Sequence, residues 1–285
     1  MSTMKVNKSN QLNCGRFQLD YSKKTLIMGI LNVTPDSFSD GGKYDNVEEA
    51  LKHAKRLAAD GADIIDIGGE STRPGAEFVP QDEELERVIP VIERLSKEMD
   101  VPISIDTYKA NVAREAVKAG ASIINDVWGA KAEPDIAKAA ADYNVPIVLM
   151  HNRHKRDYTH LTSDMVADLR ESIEIAKAAG VPDEHIVLDP GIGFAKDFQE
   201  NMEVMRNLDL FTHLGYPVLL GTSRKGFIGK VLDLPPEERM EGTGATVCLG
   251  IEKGCDIVRV HDVREMARMA KMMDALIGKG VPQHG

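Results

Sequence analysis

Eight short apolar runs in this chain end in polar side chains that could do chemistry, among them Asn32, Thr72, Asp106, Asn125, Asp189, Lys225, Arg259 and His261. A carboxylate accepts two parallel donors in a fork, such as an exocyclic amine beside a ring N–H, and asparagine both donates and accepts. Asp106, Asn125 and Asp189 therefore suit a nitrogen-rich ring. Arg259 and His261 lie two apart on one strand face and suit an anion. A single aspartate at a strand end is most simply a helix cap. Three such residues on one rim point to a ligand, the more so because Pro190-Gly191-Ile192-Gly193 follows Asp189 and lets backbone approach closely. No Ser–His or Cys–His nucleophile pair is apparent.

Two loops add to this set. NVTPDSFSDGGKY (32–44) reads either as a solvated turn or as a lid supplying oxygen ligands to a metal–phosphate group, with Phe38 as apolar cover. GGESTRPGAEFVP (68–80) sets Thr72 and Arg73 before Pro74, and Arg73 reads equally as a surface cation or an anion contact. HNRHKRDYTH (151–160) is basic but matches no compact zinc spacing, and is expected to be a solvated loop. GTGAT (242–246) follows no strand directly and reads as helix-start geometry.

The elements that must position these residues alternate. The apolar runs are 26–34, 62–72, 102–107, 122–127, 146–151, 186–194, 217–225 and 256–263, and amphipathic segments separate most of them. Helices are expected at 46–61, with Asn46 as cap, and at 82–99, 109–120, 135–144, 164–180, 199–215, 244–254 and 264–280. Eight alternations predict an α/β fold, a single (β/α)8 TIM barrel over about 25–278, in one domain of 285 residues. A doubly wound sheet is the competing architecture, but no GxGxxG turn follows the first strand. Residues 12–24 predict a short N-terminal hairpin closing the barrel bottom.

Composition bounds the rest. A net charge of -10 argues against nucleic-acid partners. Three cysteines without a CxxC pair predict free thiols and a cytoplasmic setting. No run approaches the ~18 apolar residues that span a bilayer, so no membrane role is expected. The Met-rich segment 268–277 fits packing on the barrel or against a second copy in a homodimer.

GILNVTPDSFSDGG, GGESTRPG, ISIDT, INDV, LDPGIGF, GTSRK and VRVHDV, in this order along the chain, together resemble the dihydropteroate synthase family of pterin-binding barrels. The resemblance implies a transferase of folate biosynthesis. It would join 6-hydroxymethyl-7,8-dihydropterin diphosphate to 4-aminobenzoate, with sulfonamides competing for the aminobenzoate site. It implies that Asp106, Asn125, Met150, Asp189, Phe194, Lys225 and Arg259 hold the pterin, with Asp106, Lys225 and Arg259 as the catalytic set. It implies that Asn32, Thr72, Arg259 and His261 hold the diphosphate, that Mg2+ bridges it to Asn32, and that Phe38, Arg73 and Pro74 shape the aminobenzoate site. Gly226 stands where some relatives carry serine, leaving only backbone N–H for the aminobenzoate carboxylate. Two alternatives are methyl transfer from methyltetrahydrofolate to a corrinoid protein and a non-catalytic pterin-binding barrel. The first leaves the SRK and RVH cations without purpose. The second predicts loss of Asp106, Lys225 or Arg259, and all three are present.

Overall fold

Strands rich in Ile, Val and Leu fold into eight parallel neighbours, as expected for runs buried on both faces. The computed structural model describes residues 10–33, 43–70 and 78–280. A hairpin of β1 (Gln11–Cys14) and β2 (Phe17–Asp20) turns at Gly15, whose φ of +63° is the left-handed region. The barrel strands follow as β3 (Leu26–Asn32), β4 (Ile64–Gly68), β5 (Ile103–Asp106), β6 (Ile123–Asp126), β7 (Ile147–Met150), β8 (Ile186–Asp189), β9 (Leu219–Leu220) and β10 (Ile257–Val260). They pair in the order β8-β7-β6-β5-β4-β3-β10-β9. A parallel bridge between Leu188 and Val218 joins the two ends and closes the ring. The expected barrel and hairpin are both present.

Side chains alternate across each strand. Ile65, Ile67, Ile103, Ile105, Leu149, Leu188 and Val258 face outward into the core shared with the helices. Met28, Ile64, Ile123, Val148, Val187, Leu219 and Ile257 face inward and pack with Leu12, Cys14 and Tyr21 of the hairpin, so the barrel bottom is a closed apolar floor. Two residues further along the strands stand Asp66, Asn125, Met150, Asp189, Gly221 and Arg259. The step of two carries the interior from apolar floor to polar site.

Ten helices are described, α1 (Lys43–Asp60), α2 (Gln81–Glu98), α3 (Ala110–Ala119), α4 (Asp135–Tyr143), α5 (Leu161–Ala178), α6 (Phe198–Arg206), α7 (Asp209–Thr212), α8 (Gly226–Leu232), α9 (Met240–Glu252) and α10 (Val263–Ile277). Helix α1 starts at Lys43, so Asn46 lies inside it and is no cap. The segment expected as one helix over 199–215 breaks at Asn207 into α6 and α7, and α8 is an element the periodicity does not announce. Among the described residues no helix is long and apolar enough to cross a membrane.

The last helix is tied to the first barrel strand by Asp274, whose Oδ2 and Oδ1 accept from the Thr25 amide at 2.8 Å and hydroxyl at 2.7 Å, all buried. Asp274→Ala strands both donors, and leaving buried donors unpaired costs about 2–3 kcal/mol. We expect the thermal midpoint to fall by several degrees with kcat unchanged at low temperature, because the contact lies at the end of the barrel away from the site. An unchanged midpoint in a melt followed by circular dichroism would remove this contact from the stabilising set.

Candidate functional site

The upper interior of the barrel is organised by one cation. Arg259 on β10 donates from Nε to Asp66 Oδ2 and from Nη2 to Asp106 Oδ2, both at 2.6 Å, and Asn125 Nδ2 donates to the same Asp66 oxygen at 3.2 Å. Burial works against charge on Arg259, but Asp66 and Asp106 overcome it and hold the guanidinium firmly protonated. Burial pushes the Asp106 carboxyl up from its ordinary value, Arg259 opposes this and Asp66 adds to it. The second oxygen of each carboxylate, Oδ1, is buried and has no hydrogen-bond partner among the described residues. Such an acceptor is costly unless a donor arrives from outside the chain. Arg259 keeps 20 % of its side chain exposed, as a group that meets a ligand must.

The opposite wall is the turn after β8. Asp189 is buried, and its Oδ1 accepts from Gly191 N at 2.7 Å. Lys225 Nζ donates to the Ile192 carbonyl and lies 4.5 Å from the centre of the Phe194 ring. Gly193, at φ +87°, lets the lysine pass, since a Cβ there would come within 2.9 Å of Lys225 Cδ. Burial pushes the Lys225 ammonium down to about 8 against the pull of Asp189. Met150 is buried at the end of β7, paired with Asp189. Across the mouth, His261 Nδ1 lies 2.9 Å from Ser223 Oγ. Asn32 ends β3 beside Gly68.

The chain matches the family of pterin binding enzymes over residues 28–261. It is 70 % identical to dihydropteroate synthase of Bacillus subtilis over 94 % of each chain. A Clostridium difficile dihydropteroate synthase solved in the presence of pteroic acid superposes with a TM-score of 0.89, at 55 % identity over 90 % of this chain and 98 % of that one. The Xanthomonas albilineans synthase with 4-aminobenzoic acid gives 0.90, at 43 % identity over 95 % and 99 %. The chain belongs to the dihydropteroate synthase family.

Seven residues that the resemblance assigns to a dihydropteroate synthase pterin site lie at one end of the ring: Asp106, Asn125, Met150, Asp189 and Arg259 on five barrel strands, Phe194 in the segment after β8 and Lys225 in the segment after β9. Arg259 does form the ion pairs that a structural role would require, but it forms them inside the barrel mouth. Phe38, Thr72, Arg73 and Pro74 lie outside the described residues. Arg224, next to Lys225, is committed elsewhere, gripping Asp262 at 3.0 and 2.5 Å.

Sequence reasoning missed Asp66. It sought strand tips, whereas Asp66 sits mid-strand in Ile64-Ile65-Asp66-Ile67, and a charge flanked by isoleucines was the available signal. The basic segment 151–160 is not simply solvated, because His151 is buried between Asp168, at 2.9 Å, and Lys196, at 3.0 Å. GTGAT is not a helix start, because α9 begins at Met240 and carries it inside, with Thr243 Oγ1 accepting from Arg224 N at 3.0 Å and Gly244 packed on Met269.

Asp66→Asn removes the negative charge opposite Arg259 Nε while keeping an oxygen there. A hydrogen bond to a charged group is worth about 1.5–3 kcal/mol, so kcat/KM for the pterin substrate should drop by about tenfold or more. Steady-state kinetics within twofold of the parent would remove Asp66 from the site.

Proposed function

We propose that this dihydropteroate synthase works by dissociative substitution, with catalysis mostly electrostatic and positional. The observation that carries this reading is the buried Asp66–Arg259–Asp106 group, in which Asp106, paired with Asn125 in the ladder, keeps Oδ1 without a partner among the described residues. Asp106, Asn125, Asp189 and Lys225 bind the pterin between Met150 and Phe194. Arg259 stacks on its face, held flat by its two carboxylates.

In the reaction the bond from the pterin methylene to the diphosphate oxygen breaks and its electron pair leaves with diphosphate. The amine lone pair of 4-aminobenzoate forms the new C–N bond, and one amine proton passes to water. An arylamine needs no base to act as nucleophile, so the chemistry does not call on the Ser223–His261 pair as one. Arg259 and His261, with Asn32 and Thr72, stabilise the departing diphosphate, and Asp106 stabilises the positive charge developing on the pterin methylene. Phe38, Arg73 and Pro74 are proposed to shape the aminobenzoate site that sulfonamides would contest. At Gly226 a Cβ would meet nothing within 4 Å, so the backbone there is open to the carboxylate.

Mg2+ takes hard oxygen ligands and keeps several waters. Among the described residues no cluster of three His, Cys, Asp or Glu could hold a metal. The amide oxygen of Asn32 would help to hold the ion, which would supply positive charge to neutralise the leaving group. Cytoplasmic residence is part of the proposal, supported by three unpaired cysteines. A homodimer is supported by Met272, Leu276 and Ile277 exposed on α10.

The test is diphosphate release from the pterin diphosphate and Mg2+, with and without 4-aminobenzoate. Release that requires the arylamine and yields 7,8-dihydropteroate upholds the reading, and pterin binding without release moves it to the methyltransferase or binding alternatives. Asp106→Asn should cut single-turnover release by about a hundredfold while pterin affinity by calorimetry changes far less. Near-normal turnover would sink the role assigned to Asp106. Lys225 loses its proton as pH rises through about 8. The pterin KM should therefore climb above that pH, and Lys225→Met should flatten the climb.

A further inference from the structure

Behind the Phe194 wall lies a second buried charged group that the proposed chemistry does not use. Lys196 is only 8 % exposed. Its Nζ lies 2.9 Å from the Gly191 carbonyl, 2.9 Å from the Phe194 carbonyl and 3.0 Å from His151 Nδ1. Burial pulls the Lys196 ammonium down to about 7 against the pull of Asp189, and in its charged form each of its three N–H donors has an acceptor here. Because Lys196 donates to Nδ1, the His151 imidazole is neutral and carries its proton on Nε2, which it donates to Asp168 Oδ2 at 2.9 Å. Burial, opposed by Asp168, lowers His151 to about 4, which agrees with that neutral form. Asp168 is fixed in turn by Arg153 Nε at 2.6 Å.

What Lys196 grips is a tight turn. Phe194 N donates to the Gly191 carbonyl at 3.1 Å, so the two carbonyls that Lys196 binds mark the start and end of residues 191–194. Gly191, at φ +65°, presses this turn against the next strand end, where a Cβ would lie 2.0 Å from the His151 carbonyl oxygen. The same turn offers Lys225 the Ile192 carbonyl and the Phe194 ring. The turn is thus held between two lysines, one buried behind it and one in the slot.

We propose that Lys196 is a positioning residue of the pterin site. By clamping the Gly191 and Phe194 carbonyls it sets the turn that aims Lys225 and Phe194 at the pterin, and the His151–Asp168 pair holds Lys196 in register. This rests on the reading that Lys225 and Phe194 line the pterin slot. Lys196 does not touch substrate, so its removal acts through the geometry of Lys225.

Steady-state kinetics with both substrates on the parent, Lys196→Met, Lys196→Arg, His151→Gln and Lys225→Met test this. Lys196→Met should raise the pterin diphosphate KM at least tenfold, with kcat falling less than KM rises and the aminobenzoate KM within twofold. Lys196→Arg should not restore the pterin KM, because a planar guanidinium cannot direct three N–H groups at acceptors arranged around one nitrogen. His151→Gln keeps the lysine and should give a smaller rise of the same kind, so it carries the test if Lys196→Met fails to fold. A thermal melt separates loss of fold from loss of geometry. A pterin KM within twofold of the parent in folded Lys196→Met, or in His151→Gln if that variant alone folds, overturns the proposal, provided Lys225→Met raises it. If Lys225→Met leaves it unmoved as well, the pterin-slot reading itself fails.

Discussion

Everything at the mouth of this barrel depends on keeping Arg259 charged away from bulk water. A guanidinium loses several kcal/mol of hydration on burial, and only close, well-aligned anions return it. Asp66 and Asp106 do so from neighbouring strands, each 2.6 Å away, and the strand register makes this possible. Arg259 reaches them across β3, whose Met28 pairs with Arg259 on one side and with Ile64, two residues before Asp66, on the other. Stability alone gives little reason to keep such a group, because packed apolar side chains of equal volume are often as stable. Its retention in the interior of a barrel that already has a complete apolar floor points to the ligand. The fixed guanidinium is a preorganised positive plane, and the carboxylate oxygens facing away from it remain available.

The same strands serve stability at one end and binding at the other. Ile64, Ile123, Val187 and Ile257 pack on the hairpin, while Asp66, Asn125, Asp189 and Arg259 two residues later carry the polar interior. Extending the chain by two residues keeps a side chain on the same face and raises it by about 6–7 Å. Each polar group therefore inherits the rigidity of the apolar residue beneath it. This layering also explains why Asp189, with its local bond to Gly191, is held in place with no ion pair among the described residues.

Much of this was legible in the sequence, because the barrel and the strand tips leave local marks. Apolar runs bounded by polar residues gave strand positions to within a few residues, and Asp106, Asn125, Asp189, Lys225 and Arg259 all sit where those marks put them. What was hidden depended on partners distant in sequence. In the lower barrel both faces of a strand are apolar, so alternation is invisible and Asp66 reads as an interruption, not as an inward position. His151 looked like part of a solvated basic patch because the groups that bury it, Asp168 and Lys196, lie 17 and 45 residues away. The break of 199–215 at Asn207 was hidden too, since amphipathic periodicity continues across it. The first two loops were the most distinctive stretches of sequence, yet 34–42 and 71–77 lie outside the described residues, so the site is known here from its barrel side.

The charges in the pocket also constrain how the reaction can run. Asp106 and Asp189 are both pushed toward protonation by burial, and each is held back from it first by a cation, Arg259 in one case and Lys225 in the other. The two acids are thus tuned by cations on adjacent strands, β10 and the segment after β9. A ring binding between them replaces lost water with fixed donors and acceptors, which need not reorganise as charge develops. In the proposed mechanism, negative charge beside the pterin and positive charge from Arg259 toward the diphosphate would favour separation of the bond between them. On that proposal the polarity would favour departure of the diphosphate ahead of attack by the amine, and the nucleophile would then need only to be held in line.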